Sequence, residues 1–237
     1  MNVIWHDVEC GAYAEDLFLW RSLAAEHGDP VLDVGAGTGR VALDLARHGH
    51  RVTALDNDAD LIAELRRRAA NLDVTGVVAD ARDFDLSQEF ALCIVPMQTI
   101  QLLGGIDGRA AFLRCAARQL ASGGVLAVAI ATTLEVFEVV DGGPAPLPDI
   151  TEIDGVVYAS QPTAVRSDSD GFVLERRRER VTVTGDRSVD CNRIRLDRLS
   201  VPALEAEGLA AGFRPAGRAE VAPTADYVGS EVVIFSA

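Results

Sequence analysis

Three aspartates sit in or at the end of three short apolar runs. Asp33 lies inside Val31-Leu32-Asp33-Val34, Asp56 closes Arg51-Val52-Thr53-Ala54-Leu55-Asp56, and Asp80 closes Gly76-Val77-Val78-Ala79-Asp80. The first run is followed at once by Gly35-Ala36-Gly37-Thr38-Gly39. Glycines let a backbone approach a ligand closely and adopt dihedrals that a side chain forbids. A helix opening after such a loop offers free N–H groups and the positive end of its dipole. The dinucleotide fingerprint is G-x-G-x-x-G, but here the third glycine comes one residue early and Arg40 takes the sixth place. The acid inside the first strand repels a pyrophosphate and can bind an ammonium group, or it can orient the glycine loop. Asp56 can accept from both hydroxyls of a ribose, and Asp80 from an adenine amine. The set describes a ligand with an amine, a ribose and a base, and no phosphate.

Such residues must be held at neighbouring strand ends, and the apolar periodicity supplies them. Ala12, Tyr13, Leu17, Leu19, Trp20, Leu23 and Ala24 suit an amphipathic helix over 12–27, which Gly28-Asp29-Pro30 ends. Strands are expected at 31–34, 51–56, 76–80, 90–95 and 124–131, with helices from Val41 to Ala46, over 58–70 and over 107–121. Strand–helix alternation of this kind predicts a parallel sheet with helices on both faces. Ligands then bind at the carboxyl ends of the strands, where the strand order reverses. The pattern changes after Thr132. Gly142–Pro148 reads as a loop. Stretches over 155–166, 171–184 and 188–199, separated by Ser167–Gly171 and Gly185-Asp186 turns, read as antiparallel hairpins. A helix over 202–212 and strands over 213–221 and 227–236 close the chain. The expected architecture is α/β: a doubly wound, Rossmann-like, mostly parallel seven-stranded sheet with an antiparallel β insertion after strand five.

Composition narrows the partners. The 237 residues carry a formal charge of −14, a surface that repels phosphate backbones, so nucleic acid is not expected as a partner. All 22 basic residues are Arg, and the triplets 66–68 and 176–178 are the basic runs; both read as solvated faces. No apolar run has the length of a membrane span, and the first residues lack the basic-then-apolar pattern of a signal peptide. Cys10, Cys93, Cys115 and Cys191 form no C-x-x-C pair, and no His or Cys has zinc-ligand spacing. The expectation is a reduced, cytoplasmic protein that binds no metal.

Val31–Gly39 resembles the first motif of class I S-adenosylmethionine (SAM)-dependent methyltransferases. Ala54-Leu55-Asp56-Asn57-Asp58 resembles the second, Val78–Asp83 the third, and Leu120–Leu126 the turn before the fifth strand. The likeness covers about residues 30–131. The fourth strand departs from the family, beginning Phe90-Ala91 where Phe-Asp is usual, and no Asn-Pro-Pro-Tyr follows it; the segment from Pro96 resembles that of small-molecule N- and O-methyltransferases. The resemblance implies SAM as cofactor and S-adenosylhomocysteine as product. It places Gly35, Ala36 and Gly37 beside the methionine part, Asp56 and Asn57 at the ribose and adenine side, Asp80 and Ala81 at the adenine edge, and the backbone near Val95 and Pro96 at the methionine amine. Tyr13 is expected over the cofactor.

A methyl on sulfur is already activated, so alignment and exclusion of water suffice for an amine, and His6, Tyr13, Gln98 and Gln101 are the candidates for orienting or deprotonating an acceptor. The expected division is one methyltransferase domain, with an N-terminal helical lid over 1–29, a SAM-binding core over 30–133, a substrate-side insertion over 150–200 and a closing helix and strands over 201–237. The partner is a small-molecule acceptor, methylated on N or O, and the chain is a monomer or homodimer. An aminopropyl transferase-like enzyme and a non-catalytic SAM-binding module are the alternatives.

Overall fold

The computed structural model describes residues 2–140, 143–224 and 227–237. Gly142, where the expected Gly142–Pro148 loop begins, lies outside them. In chain order the elements are α1 (Asn2–Cys10), α2 (Leu17–His27), β1 (Val31–Val34), α3 (Arg40–Arg47), β2 (Val52–Asp56), α4 (Ala59–Ala69), β3 (Val74–Val78), β4 (Phe90–Val95), a 3-10 turn (Thr99–Leu102), α5 (Gly105–Gln119), β5 (Leu120–Ile130), β6 (Phe137–Glu138), β7 (Asp149–Ile153), β8 (Val156–Ser167), β9 (Gly171–Val181), β10 (Arg187–Asp197), α6 (Val201–Ala210), β11 (Arg214–Val221) and β12 (Ser230–Ser236). They gather into two compact units: Tyr13–Thr132 with Leu199–Ala237, and Met1–Ala12 with Thr133–Arg198.

The larger unit is built on a seven-stranded sheet of order β11-β12-β5-β4-β1-β2-β3. β1 pairs in parallel with β2 and β4, β2 with β3, and β4 with β5, whereas β12 runs antiparallel to β5 and β11. This is the doubly wound, Rossmann-like sheet that the alternation predicts. Its strands read as continuous apolar runs because both faces are covered. On one face Leu32, Val34, Cys93, Val95, Leu126 and Val128 pack with Phe112 and Leu113 of α5 and Leu204 of α6. On the other, Val31, Val52, Ala54, Ile94 and Ala127 pack with Trp20 and Leu23 of α2, Val41 and Leu45 of α3, and Ile62 and Leu65 of α4. Local chemistry sets the helix starts: Asp58 caps α4 by accepting from the N–H groups of Asp60 and Leu61, and Ser200 caps α6. A buried Arg109–Glu207 pair at 2.7 Å ties α5 to α6.

The smaller unit is a five-stranded antiparallel sheet of order β10-β9-β8-β6, with β7 also pairing with β8. The long hairpins fall where the turn residues put them. α1 packs on this sheet. Glu9 accepts from the Ser160 hydroxyl at 2.7 Å and from two nitrogens of Arg178 at 2.7 and 2.8 Å. Arg176 reaches Ser160 and Asp149, and the Trp5 and Tyr158 rings meet edge to face at 5.5 Å.

Two readings of the sequence need revision here. The N-terminal periodicity does not make one helix over 12–27: α2 begins only at Leu17, and a separate α1 precedes it. Asp16 occupies the N-cap of α2 but makes no cap bond with its side chain, because that carboxylate is spent on Trp20 and Arg40. The Arg176–Arg178 run is not a solvated face either. Strand alternation turns Arg176 and Arg178 to one side of β9, where Glu9 and Asp149 neutralise them. No helix among the described residues is long and apolar enough to cross a membrane, and none of the four cysteines is in a disulfide.

Candidate active site

In the larger unit the strand order reverses at β1, so the crevice of an open parallel sheet falls at the carboxyl ends of β1 and β4. The glycine loop leaves β1 there. The N–H groups of Gly35 and Ala36 both donate to the Leu55 carbonyl, at 2.8 and 3.1 Å, which binds the loop to the end of β2. Gly35 has φ +75°, and a Cβ there would collide with the Thr99 side chain, so the loops after β1 and β4 meet at this glycine. Gly39 also takes a positive φ and leaves no room for a Cβ between Leu43 and Leu65, where α3 leans on α4. The β4 exit bends at Met97, whose φ of 56° is unusual for a residue with a side chain. The Thr99 hydroxyl donates to the Pro96 carbonyl at 3.1 Å and fixes that bend.

Asp56 is joined to the loop directly. One carboxylate oxygen accepts from the Gly37 N–H at 2.9 Å and the other from the Asp58 N–H at 2.9 Å. Each oxygen keeps further acceptor capacity, and the residue is part-exposed, as an acceptor for ribose hydroxyls must be. Asn57 beside it is exposed. The Asp56 carbonyl accepts from Ala79, bringing the end of β3 to the same edge. Beyond it, Asp80 is held by Arg82: its oxygens accept from the Arg82 backbone N–H at 2.8 Å and from the guanidinium at 2.6 to 3.1 Å. Those bonds hold the Asp80 carboxyl down at about 2. Any donor that approaches that carboxylate must therefore share it with Arg82. The Ala81 side chain and Val95 belong to the core rather than to the crevice, and Pro96 is buried; only their backbones are available to a ligand.

Asp33 is sealed. It is 1% exposed, and neither carboxylate oxygen has a hydrogen-bond partner. Alternation along β1 turns it to the face covered by α2, α3 and α4. Burial pushes its carboxyl up to about 7; the Asp16 and Asp56 charges add to this, and the Arg40 charge and the Ala42 amide in the first turn of α3 pull it back without completing a hydrogen bond. Asp33 is thus closed to direct contact with a ligand. The Tyr13 hydroxyl is likewise buried without a partner, and burial pushes it up to about 12. Its ring lies against Tyr227 at 4.9 Å and under the Arg40 guanidinium at 4.9 Å.

The remaining candidates part company. Gln101 is 1% exposed, and its amide is spent on the backbone after β5, donating to the Ala131 carbonyl at 3.0 Å and accepting from the Ala131 N–H at 2.8 Å. It braces the 3-10 turn against β5 instead of facing an acceptor. Gln98 heads that turn and is part-exposed. His6 lies in the other unit, on α1, 3.8 Å from Asp7. Two residues escaped the sequence reading, Arg40 and Asp16. Their signal was present: a cation in the first turn of a helix opposes the dipole and asks for an acidic partner.

A buried carboxylate and a buried hydroxyl without partners, beside a glycine loop that already binds Asp56, suit a cationic, phosphate-free nucleoside. The comparisons agree. Residues 31–124 match the family model described as a methyltransferase domain. The matched stretch includes the glycine loop, Asp33, Asp56 and Asp80. A cypemycin N-terminal methyltransferase from Streptomyces sp is 34% identical over 97 residues, 41% of this chain and 40% of that protein. The chain spans less than two thirds of that relative's length. Among solved structures, a sugar N-methyltransferase from Streptoalloteichus sp superposes with a TM-score of 0.75 at 19% identity, over 98% of this chain and 91% of that one. A SAM-bound amino pentose methyltransferase from Micromonospora echinaspora does so with a TM-score of 0.67 at 22% identity, over 97% and 91%. At such identities these two establish the fold.

Proposed function

We propose that this protein methylates an amine of a small molecule, with SAM as donor. The carrying observation is the charge pattern of the crevice: Asp56 is tied to the glycine loop and open to further donors, above a sealed Asp33 that nothing neutralises by hydrogen bonding. That pattern attracts a cation and repels a pyrophosphate. When bound, SAM supplies a methyl group on a positively charged sulfur, ready for displacement by a lone pair. Gly35, Ala36 and Gly37 would receive its methionine part, Asp56 its ribose, and the Asp80–Ala81 turn its adenine. The chain's own task is to bind, to orient and to keep water out, and alignment of this kind is worth roughly 7–11 kcal/mol. An amine needs no strong base at the moment of transfer. Three similar proteins, an N-terminal methyltransferase, a sugar N-methyltransferase and an amino pentose methyltransferase, support an amine acceptor.

The test is transfer of label from methyl-labelled SAM to matched acceptors: amino sugars, short peptides with free N-termini, and counterparts with a hydroxyl in place of the amine. Label is expected on amine-bearing members alone. Label on the hydroxyl counterparts, or tight SAM binding with no transfer to any amine, overturns the proposal.

A further inference from the structure

Arg40 is the first residue of α3, immediately after the glycine loop, and its side chain is 11% exposed. Its guanidinium grips Asp16 through both ends, at 2.6 and 2.8 Å, and donates to the Tyr13 carbonyl at 3.0 Å. Asp16 is 3% exposed on its side chain and also accepts from the Trp20 indole at 2.8 Å. One cation thus joins two pieces of chain: the segment ahead of α2, which carries both Tyr13 and Asp16, and the helix that follows the glycine loop. The two groups with unmet hydrogen-bonding capacity, the Tyr13 hydroxyl and the Asp33 carboxylate, both feel its charge. A buried pair of this quality rarely adds much net stability over apolar residues of the same size. Its geometric content is greater: a planar fork fixes direction as well as distance. With Arg40 and Asp16 cancelling each other, the negative charge left in the pocket belongs to Asp33 and Asp56.

We propose that Arg40, clamped by Asp16, is a positioning residue for the cofactor pocket: it holds Tyr13 against the first turn of α3 and sets the charge that Asp33 presents beneath the glycine loop. The proposal rests on the cofactor reading above. It assigns Arg40 no contact with the reacting atoms. Its effect is exerted on binding, through Tyr13 and through the ionisation of Asp33. Asp33 is faced by Arg40 and the Ala42 amide from α3, by Asp16 ahead of α2, by Asp56 at the end of β2 and by Cys93 on β4.

The test uses the whole protein and S-adenosylhomocysteine as probe, with calorimetric Kd measured from pH 5.5 to 8.5 and Tm measured alongside. The double variant Asp16→Asn/Arg40→Gln keeps an acceptor for the Trp20 indole and a donor for the Tyr13 carbonyl, and removes both charges of the pair together. The expected result is a folded protein whose Kd rises at least tenfold, with the pH at which wild-type affinity bends moved upward. A folded double variant with Kd within twofold of wild type and an unmoved bend overturns the proposal. Should it not fold, Arg40→Lys decides. Lysine keeps the charge and loses the fork, so weaker binding with an unmoved bend supports positioning, and wild-type affinity overturns it. Failure of the wild type to bind the probe overturns the cofactor reading and this proposal together; intact wild-type binding with insensitive variants overturns this proposal alone.

Discussion

Replacing Asp33 by Asn isolates what a sealed carboxylate costs this fold. An ordinary Asp titrates near 3.8, and this one is pushed up to about 7 by burial. The folded chain therefore holds that proton to higher pH than the unfolded chain. Between those two values the native state binds more protons, so this group makes stability fall as pH rises. At pH 8 the ionised form carries a penalty of about 4 kcal/mol, and at pH 5.5 about 2 kcal/mol. The Asn amide carries no charge but leaves polar atoms without partners, a cost of about 1–3 kcal/mol at every pH. The variant is thus expected to match or exceed wild type at pH 8 and to lose about 2 kcal/mol of that relative standing at pH 5.5. Urea unfolding of both proteins at the two pH values measures it, with equal m-values as the sign that the unfolded states are comparable. A stability difference between variant and wild type that is the same at pH 5.5 and pH 8 refutes the reasoning, because it means that Asp33 does not titrate in this window.

Three further outcomes are expected. Asp56→Ala removes the acceptor for the Gly37 N–H as well as for the ribose, so S-adenosylhomocysteine binding should weaken by about 1.5–3 kcal/mol per charged hydrogen bond lost; calorimetry showing unchanged affinity counts against the assignment. Gly35→Ala meets both a positive φ and the Thr99 side chain, and should lower stability by about 2 kcal/mol or more in urea unfolding; a loss under 0.5 kcal/mol means that the loop can give at that point. Burial pushes Glu9 up, but the bonds from Arg178 and Ser160 outweigh it and its carboxyl lies below the usual value of 4.5. Its contribution is therefore complete above that value and is lost as pH falls through the folded one. Glu9→Gln should speed hydrogen exchange in α1 at neutral pH, and exchange equal to wild type there would show that the pair does not hold the helix.

The doubly wound sheet was legible because its strands are short, wholly apolar and separated by helical periods: Val31–Val34, Val52–Asp56 and Phe90–Val95 sit close to where the pattern puts them. The glycine loop and Asp56 were legible for a related reason. Their placement follows from backbone conformation and strand-end position, which local residue types report. What could not be read was what crosses the chain. The spacing of Gln101 showed that it follows β4, but not that its amide closes on Ala131, 30 residues on. Asp80 read as an open acceptor because nothing local says that Arg82 turns back onto it. The Tyr13–Asp16 segment looked helical by its apolar count, yet Asp16 serves Arg40, 24 residues away, and the helix waits until Leu17. At Gln101 and at Asp16, long-range polar pairing overrode what the local sequence suggests.

The central claim is that the crevice at β1 and β4 takes a cationic, phosphate-free nucleoside. Calorimetric titration of the purified protein with SAM, S-adenosylhomocysteine, decarboxylated SAM and NAD at pH 7.5 tests it most directly. Saturable binding of SAM and S-adenosylhomocysteine is expected, with weaker binding of the decarboxylated form and NAD weaker still by at least a hundredfold. NAD affinity comparable to that of SAM, or no binding of S-adenosylhomocysteine, would contradict it.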